Sequence, residues 1–424
     1  MKIVCILLEK GADVNAAGGF YGSALQAAAA GGHTEIVGTL LEKGASINAA
    51  GGFHGSTLQI AAAQGHTENV GALLEKGANI NAAGSRYGSA LQAAAAGGHT
   101  EIIGILLKKG ADVNAAGGFY GSALQIAAAR GHTAIIGSLL KKGADINAAG
   151  GEDGSALQAV AARGHAEIVG ALLEKGADIN AAGSRYGSAL QIAAAGGHTE
   201  IVGALLEKEI ISALLEKGAD INAAGSRYGS ALQIAAARGH TEVIGALLKK
   251  GVDINAAGGE DGSALQAAAA GGHTEIIGTL LEKGANVNAV GGFYGSALQA
   301  AAAGGHTEIT GVLLEKGANV NAAGGFYGSA LQAAAAGGHT EIVGALLEKG
   351  ADINAAGGED GSALQAAAAR GHTEIISILL KKGADVNAAG SRHGSALQIS
   401  VDKGHTDIVN MVLARGARSP VSDK

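Results

Sequence analysis

Residues 22–54 read Gly22-Ser-Ala-Leu-Gln-Ala-Ala-Ala-Ala-Gly-Gly-His-Thr-Glu-Ile-Val-Gly-Thr-Leu-Leu-Glu-Lys-Gly-Ala-Ser-Ile-Asn-Ala-Ala-Gly-Gly-Phe-His54. Ser23 and Gln26 have the spacing of a capping box, in which the hydroxyl accepts one orphan N–H and the side-chain amide reaches back to another. Leu25 to Ala30 should then be helical, because Ala is the strongest intrinsic helix former. Gly31-Gly32 ends that helix. Thr34 is placed to cap a second helix, with Glu35 at its positive end. Ile36, Val37, Leu40 and Leu41 form one apolar stripe. Lys43 falls in the last turn, and Gly44 stops the helix. Ala45 to Gly55 is rich in Gly, Asn and Ala and reads as a hairpin of turns.

This unit recurs along the chain. Asn-Ala-Ala or a near copy starts at Asn15, Asn48, Asn81, Asn114, Asn147 and Asn180, then at Asn222, Asn255, Asn288, Asn321, Asn354 and Asn387. Every step is 33 residues except the one from 180 to 222, which is 42. One unit cannot bury its own stripe, so neighbours must stack into a one-dimensional solenoid held by local contacts.

Composition agrees. Gly supplies 73 of 424 residues, yet hydrophobic residues still make up 47 % of the chain, too many for a flexible linker. Collagen is excluded by the Gly spacing and by a single Pro. One cysteine, Cys5, cannot build a disulfide framework, which fits a reducing, cytoplasmic setting. No apolar run is long enough for a membrane span, and Glu9 and Lys10 close the first apolar stretch too early for a signal peptide. A net charge of −7, thinly spread, confers solubility without general affinity for phosphate backbones.

The unit resembles the ankyrin repeat over nearly the whole chain. Gly32-His33, the Ile36-Val37-x-x-Leu40-Leu41 pattern and Gly11-Ala-Asp-Val-Asn15 stand where that family has them. The first-helix signature departs from it: Ser-Ala-Leu-Gln at 23–26 replaces the usual Thr-Pro-Leu-His, and Gln can still serve the cap. The resemblance implies an all-α solenoid of helix-turn-helix units with short β-hairpin fingers and a 33-residue period. The Gly-Ser-Ala-Leu-Gln variant is similar to arrays in filamentous fungi, where it often forms the sensor of NACHT-type, NOD-like signalling proteins.

The chain starts within a unit, since Ile3 to Gly11 is a second helix with no first helix before it. The expectation is a piece cut from a longer protein. At the other end Ser400, Asp402, Lys403, Asp407, Asn410 and Arg415 put polar groups into the last unit and read as a cap. The long step holds a tandem duplication, Glu200-Ile-Val-Gly-Ala-Leu-Leu-Glu-Lys208 followed by Glu209-Ile-Ile-Ser-Ala-Leu-Leu-Glu-Lys217. On one straight helix, nine extra residues rotate the chain by about 2.5 turns, so the two Leu-Leu pairs would face opposite ways. Either the stack breaks at 200–217, giving arrays 1–208 and 209–424, or one copy loops out and the stack continues.

Differences between the copies concentrate in three columns. All twelve Phe and Tyr residues lie in the pair before the Gly that opens each first helix. The pairs are Phe20-Tyr21, Phe53-His54, Arg86-Tyr87, Phe119-Tyr120, Glu152-Asp153 and Arg185-Tyr186, then Arg227-Tyr228, Glu260-Asp261, Phe293-Tyr294, Phe326-Tyr327, Glu359-Asp360 and Arg392-His393. A core position would not exchange Phe-Tyr for Glu-Asp, because burying unpaired carboxylates is costly. These pairs are therefore expected to face solvent. By the resemblance they are finger tips beside a concave groove. Exposed Phe, Tyr and Arg dominate binding hot spots, which makes the pairs candidate binding residues. The second column ends the first helix and carries Arg130, Arg163, Arg238 and Arg370 among Gly, Gln and Lys; it should border the same face. A third column alternates Ala27, Ala93 and Ala159 with Ile60, Ile126, Ile192, Ile234 and Ile399, and reads as packing.

Catalytic readings find no support. Twelve of the 14 His recur once per unit, from His33 to His405. Units about 8–10 Å apart cannot converge such a ladder on one metal ion. The Gly18-Gly19-x-x-Gly22 loop lacks the Lys of a phosphate cradle. No nucleophile, base and oxyanion set stands out. The chain is read as a non-enzyme without a cofactor that binds a protein partner through tips and concave face. The alternative from another class is single-stranded nucleic acid stacked on the Arg-Tyr tips at 86–87, 185–186 and 227–228, although the Glu-Asp tips interrupt any basic track. A gene remnant with recently copied units is the third reading.

Overall fold

The computed structural model describes residues 2–51, 55–84, 88–119, 121–182, 187–206, 220–223, 227–388 and 394–417. Among them are 25 helices, arranged as helix-turn-helix units. The chain divides into two compact units, Met1–Ala219 and Asp220–Lys424. The second copy of the duplicated segment, 209–217, lies outside the described residues.

In each unit the first helices, such as Ala24–Ala30, Thr57–Gln64 and Ala90–Gly97, pack on one another in sequence order. The second helices, such as Thr34–Glu42 and Thr67–Glu75, form the parallel outer row. The first helices are buried almost all round. In Ala90–Gly97, Ala90, Leu91, Gln92, Ala93, Ala94 and Ala95 are all buried. Small side chains allow this, because a row of Ala lets neighbouring backbones approach closely. Second helices bury a narrower stripe, for example Ile102, Ile103 and Leu106. The third variable column is packing, as expected: Ile60, Ala93, Ile126, Ala159, Ile192, Ile234 and Ile399 are buried. Ala27, in the first complete unit, is exposed.

The capping box forms as read. The Ser23 N–H donates to Gln26 Oε1 at 2.8 Å and the Gln26 N–H donates to Ser23 Oγ at 3.3 Å. The glutamine then reaches further than a cap requires. Gln26 Nε2 donates to the carbonyls of Gly51 and Gly55, in the next hairpin, at 3.0 and 2.6 Å. Gln266 repeats this to Gly291 and Gly295 at 2.8 and 2.9 Å. The glutamine therefore serves its own helix with one end of its amide and the following unit with the other.

Thr34 is not the cap of the second helix. It is the first helical residue, and His33 occupies the cap position without a side-chain cap bond. The imidazole points across the stack instead. His66 Nε2 lies 3.0 Å from the Ala30 carbonyl and His99 Nε2 lies 3.1 Å from that of Ala63, each in the preceding unit. The Gly before each His follows from this. A Cβ on Gly65 would sit 2.6 Å from the His99 ring, and its φ of +82° is a left-handed cap that suits glycine.

A third stitch uses the Asn column. Asn15 Nδ2 donates to the Gly44 carbonyl at 3.2 Å, and Asn15 Oδ1 accepts from the Ser46 N–H at 2.7 Å. Asp13 accepts from the Asn15 N–H at 2.9 Å, and Asn79 does the same for Asn81, so this column needs a short acceptor and not a charge.

Two positions break the pattern. Asn69 stands in a stripe position held elsewhere by Ile or, at 243, Val, is buried, and has no hydrogen-bond partner for either amide atom. Ser400, read above as part of a polar cap, is fully buried and donates to the Ala396 carbonyl at 2.6 Å. Arg415 bonds back to the preceding unit, from Nη1 to the Leu380 carbonyl at 3.0 Å. The Lys2–Glu9 helix has no buried residue, and Ile3, Ile6 and Leu7 are exposed.

Candidate functional site

The hairpins carry the variable pairs at their bends. Ala17–Gly18 pairs antiparallel with Gly22–Ser23, which leaves Phe20 and Tyr21 at the turn. In the second unit the hairpins close through single bridges, Gly258↔Gly262, Gly291↔Gly295 and Gly324↔Gly328. Successive tips there bond to each other through the backbone. The N–H groups of Glu260, Phe293, Phe326 and Glu359 donate to the carbonyls of Arg227, Glu260, Phe293 and Phe326 at 3.0, 2.6, 2.8 and 3.1 Å. A row of tips joined in this way is one surface, not a set of independent fingers.

Within each pair the two positions differ. The first points outward: Phe20, Phe119 and Phe293 are 64 %, 58 % and 48 % exposed. The second is mostly turned inward, which corrects the expectation that both face solvent, although Tyr21 stays 37 % exposed and Phe326, a first residue, is half-buried. The side chains of Asp153 and Asp360 are only 20 % and 16 % exposed. Asp261, Tyr228, Tyr294 and Tyr327 are also half-buried. The inward position accepts Asp at 153 and 360 because each carboxylate finds an arginine.

Arg163 Nη2 donates to Asp153 Oδ2 at 3.3 Å, and Arg370 Nη2 lies 3.9 Å from Asp360 Oδ2. The helix-end column and the tips thus meet, as their common border implied. Arg227 Nε lies 2.7 Å from Glu260 Oε1, and this hydrogen bond and charge hold the guanidinium above its usual pKa. Arg130 and Arg163 line a groove of about 430 Å³ with Ala96, Ile126, Ala129 and His165. Burial, and then the Arg130 charge, hold His132 below the usual imidazole range. Arg238 is exposed at the end of its helix.

The aromatic tips make contacts of their own. Phe293 and Phe326 stack with centroids 4.9 Å apart and planes 20° apart. Each meets its own tyrosine edge to face, Phe293 with Tyr294 at 5.1 Å and Phe326 with Tyr327 at 5.0 Å. Phe20 and Tyr21 repeat that geometry at 5.2 Å. Phe53, His54, Arg86, Tyr87, Tyr120, Arg185, Tyr186, Arg392 and His393 lie outside the described residues.

Reading the columns separately missed the arginine–aspartate pairs. The signal was present: the acidic tips at 152–153 and 359–360 both have Arg ten residues later, at the helix end. Among the described residues, no group of three or more His, Cys, Asp or Glu side chains is placed to hold a metal ion, and no helix is long and apolar enough to cross a membrane.

A three-copy ankyrin repeat model matches residues 1–84, 83–150, 149–223 and 207–291. A many-copy ankyrin repeat model matches 298–343, 331–380 and 364–413. No curated protein matches the chain. With helix pairs, hairpins and family matches running nearly end to end, this chain belongs to the ankyrin repeat family.

Proposed function

We propose that the chain is a recognition module whose tip row and concave face bind a protein partner, and that it works as the sensor array of a larger cytoplasmic signalling protein of the NACHT type. Ankyrin repeats are generally protein–protein interaction modules and non-enzymatic scaffolds. The observation that carries the reading is the Phe293–Phe326 stack, two aromatic rings side by side on consecutive tips of a backbone-bonded row. Aromatic side chains fixed by their neighbours give contact area at low entropic cost. The sensor role rests on the Gly-Ser-Ala-Leu-Gln signature alone. The competing single-stranded nucleic-acid reading is weakened at Arg227, whose guanidinium is paired with Glu260.

The test is a pull-down from a native-like extract with two arrays. One is unchanged; in the other Phe20, Tyr21, Phe119, Tyr120, Phe293, Tyr294, Phe326 and Tyr327 become Ser. A protein retained only by the unchanged array supports binding through the tips. Equal retention moves the site to the helices or the convex face. Retention of nothing by two folded arrays favours the remnant reading, and retention of nucleic acid that falls steeply with salt revives the other class.

A further inference from the structure

Three tips in the chain are Glu-Asp, at 152–153, 260–261 and 359–360. In two of them the aspartate is paired with an arginine of the same unit, Arg163 at 3.3 Å and Arg370 at 3.9 Å. In the third unit that helix position is Gly271. Asp261 is half-buried like its two counterparts, yet no ion pair or hydrogen bond reaches its carboxylate from the described residues. The nearby cation Arg227 is committed to Glu260. Arg238, at the helix end of the preceding unit, forms no ion pair with it among the described residues.

The larger side chains that surround Asp360 are absent around Asp261, where the His273 ring lies against Gly271. Around Asp360, Ala369, Arg370, Ile399, Asp402 and Lys403 line a cleft of about 290 Å³. The residues in the same register beside Asp261 are Ala270, Gly271, Ala300, Ala303 and Gly304. None of them has a side chain beyond Cβ. Phe293, on the next tip, offers an exposed ring. Such a face favours a guanidinium laid against it.

We infer that Asp261 anchors a socket for a guanidinium side chain of a protein partner, which takes the place that Arg163 and Arg370 fill in the other two acidic units. The inference deepens the protein-recognition reading and rests on it for the source of the arginine. The socket does not depend on acidity alone: two sister units of the same chain show the same aspartate position holding an arginine. Bringing a guanidinium to a half-buried carboxylate forms a charge-assisted hydrogen bond and removes an uncompensated charge. Burial and the neighbouring Glu260 raise the Asp261 carboxyl above its usual range, as expected for an aspartate without its cation.

The probe is N-acetyl-arginine amide, titrated into the isotope-labelled full chain and followed by amide NMR. Its neutral twin, N-acetyl-citrulline amide, is run beside it. Saturable shifts are expected at Asp261, Gly271 and Gly304 and not at Asp153 or Asp360, with affinity on the order of millimolar for so small a ligand. Citrulline should bind at least about tenfold more weakly. Gly271→Arg fills the socket from within and should abolish the shifts. Arginine already stands at this position in other units, so the fold accommodates it, although the His273 ring must move from the 2.6 Å approach a Cβ would meet. Asp261→Asn, which keeps shape and removes charge, should abolish them too. Arg370→Gly should open a second site at Asp360. Equal binding of citrulline, or shifts that survive either blocking variant, overturns the socket. A pull-down partner lost by the Ser-tip array but kept by both blocking variants also overturns it while leaving the recognition reading intact. Arginine docking at Asp261 in an array that retains no protein supports the socket and removes the recognition reading.

Discussion

Gln266 and Asp261 lie in one unit, five residues apart, and follow different rules. The glutamine belongs to columns that every copy repeats: it caps its own helix at Ser263 and bonds the hairpin carbonyls of Gly291 and Gly295 in the next unit. The His and Asn columns reach across the same boundaries, as His273 does to the Ala237 carbonyl and Asn255 to the Asp-equivalent Asn286 N–H. The aspartate belongs to the tip row, where Glu-Asp, Arg-Tyr and Phe-Tyr replace one another and partners are found case by case. The difference teaches what each region can vary. A column that bonds backbone carbonyls of a neighbour needs one side-chain shape in every copy. A tip bonded to its neighbours through its own backbone keeps the row intact whatever its side chains are.

The strongest way to break this contrast is Gln266→Ala. It removes the capping box, the side-chain donor to the Gly291 carbonyl and one of the two donors to the Gly295 carbonyl, which keeps the Gly291 N–H, so a loss of about 3 kcal/mol is expected. Repeat arrays open segment by segment, so the loss is read as reduced hydrogen-exchange protection over 264–271 and 291–295. A change no larger than that of a tip substitution would erase the distinction between the regions.

Asn69→Ile sharpens it from the other side. Neither amide atom of Asn69 has a partner in a buried stripe position. Restoring the apolar side chain should stabilise the array by about 1–3 kcal/mol, visible as a higher midpoint in urea. An unchanged midpoint would mean that the amide is satisfied after all.

Phe293→Ser combined with Phe326→Ser should cost about 1 kcal/mol, the order of one aromatic pair on a surface. The same double change should remove partner binding if the tips are the site. Large destabilisation would mean that the row is structural.

Asp261→Asn has the smallest expected effect on stability, within about 0.5 kcal/mol as for surface substitutions, and its size depends on pH. The folded-state pKa of Asp261 is raised by burial and then by Glu260. The folded chain therefore holds this proton more tightly than the unfolded chain does. The favourable contribution is complete below the unfolded carboxylate pKa and is lost as pH rises through the higher folded value. The amide should accordingly stabilise the array at neutral pH, with the gain fading as the wild-type carboxyl becomes protonated in acid. Melting curves taken across that range check it; a gain that persists unchanged in acid would contradict the assignment.

Much of this was legible before any coordinates. The 33-residue period, the Ser-x-x-Gln caps, the glycine stops and the apolar stripe are local in sequence, and local rules of helix geometry and capping suffice to read them. Repetition then dictates stacking, because no unit can cover its own stripe. The restriction of the aromatic and charged pairs to one hairpin position was visible in the same way. What required tertiary structure were the contacts made one unit away: the second end of the Gln26 amide on Gly51 and Gly55, the His66 ring on Ala30, and the backbone bonds from tip to tip. It also required knowing which way each side chain turns at a hairpin bend. That orientation buries Asp153 and Asp360 beside their arginines and leaves Asp261 beside a glycine. Sequence determines what each unit is, since its bonds close within a few residues; the stack alone decides which carbonyl or charge lies opposite, since that partner is brought close only when the units pack.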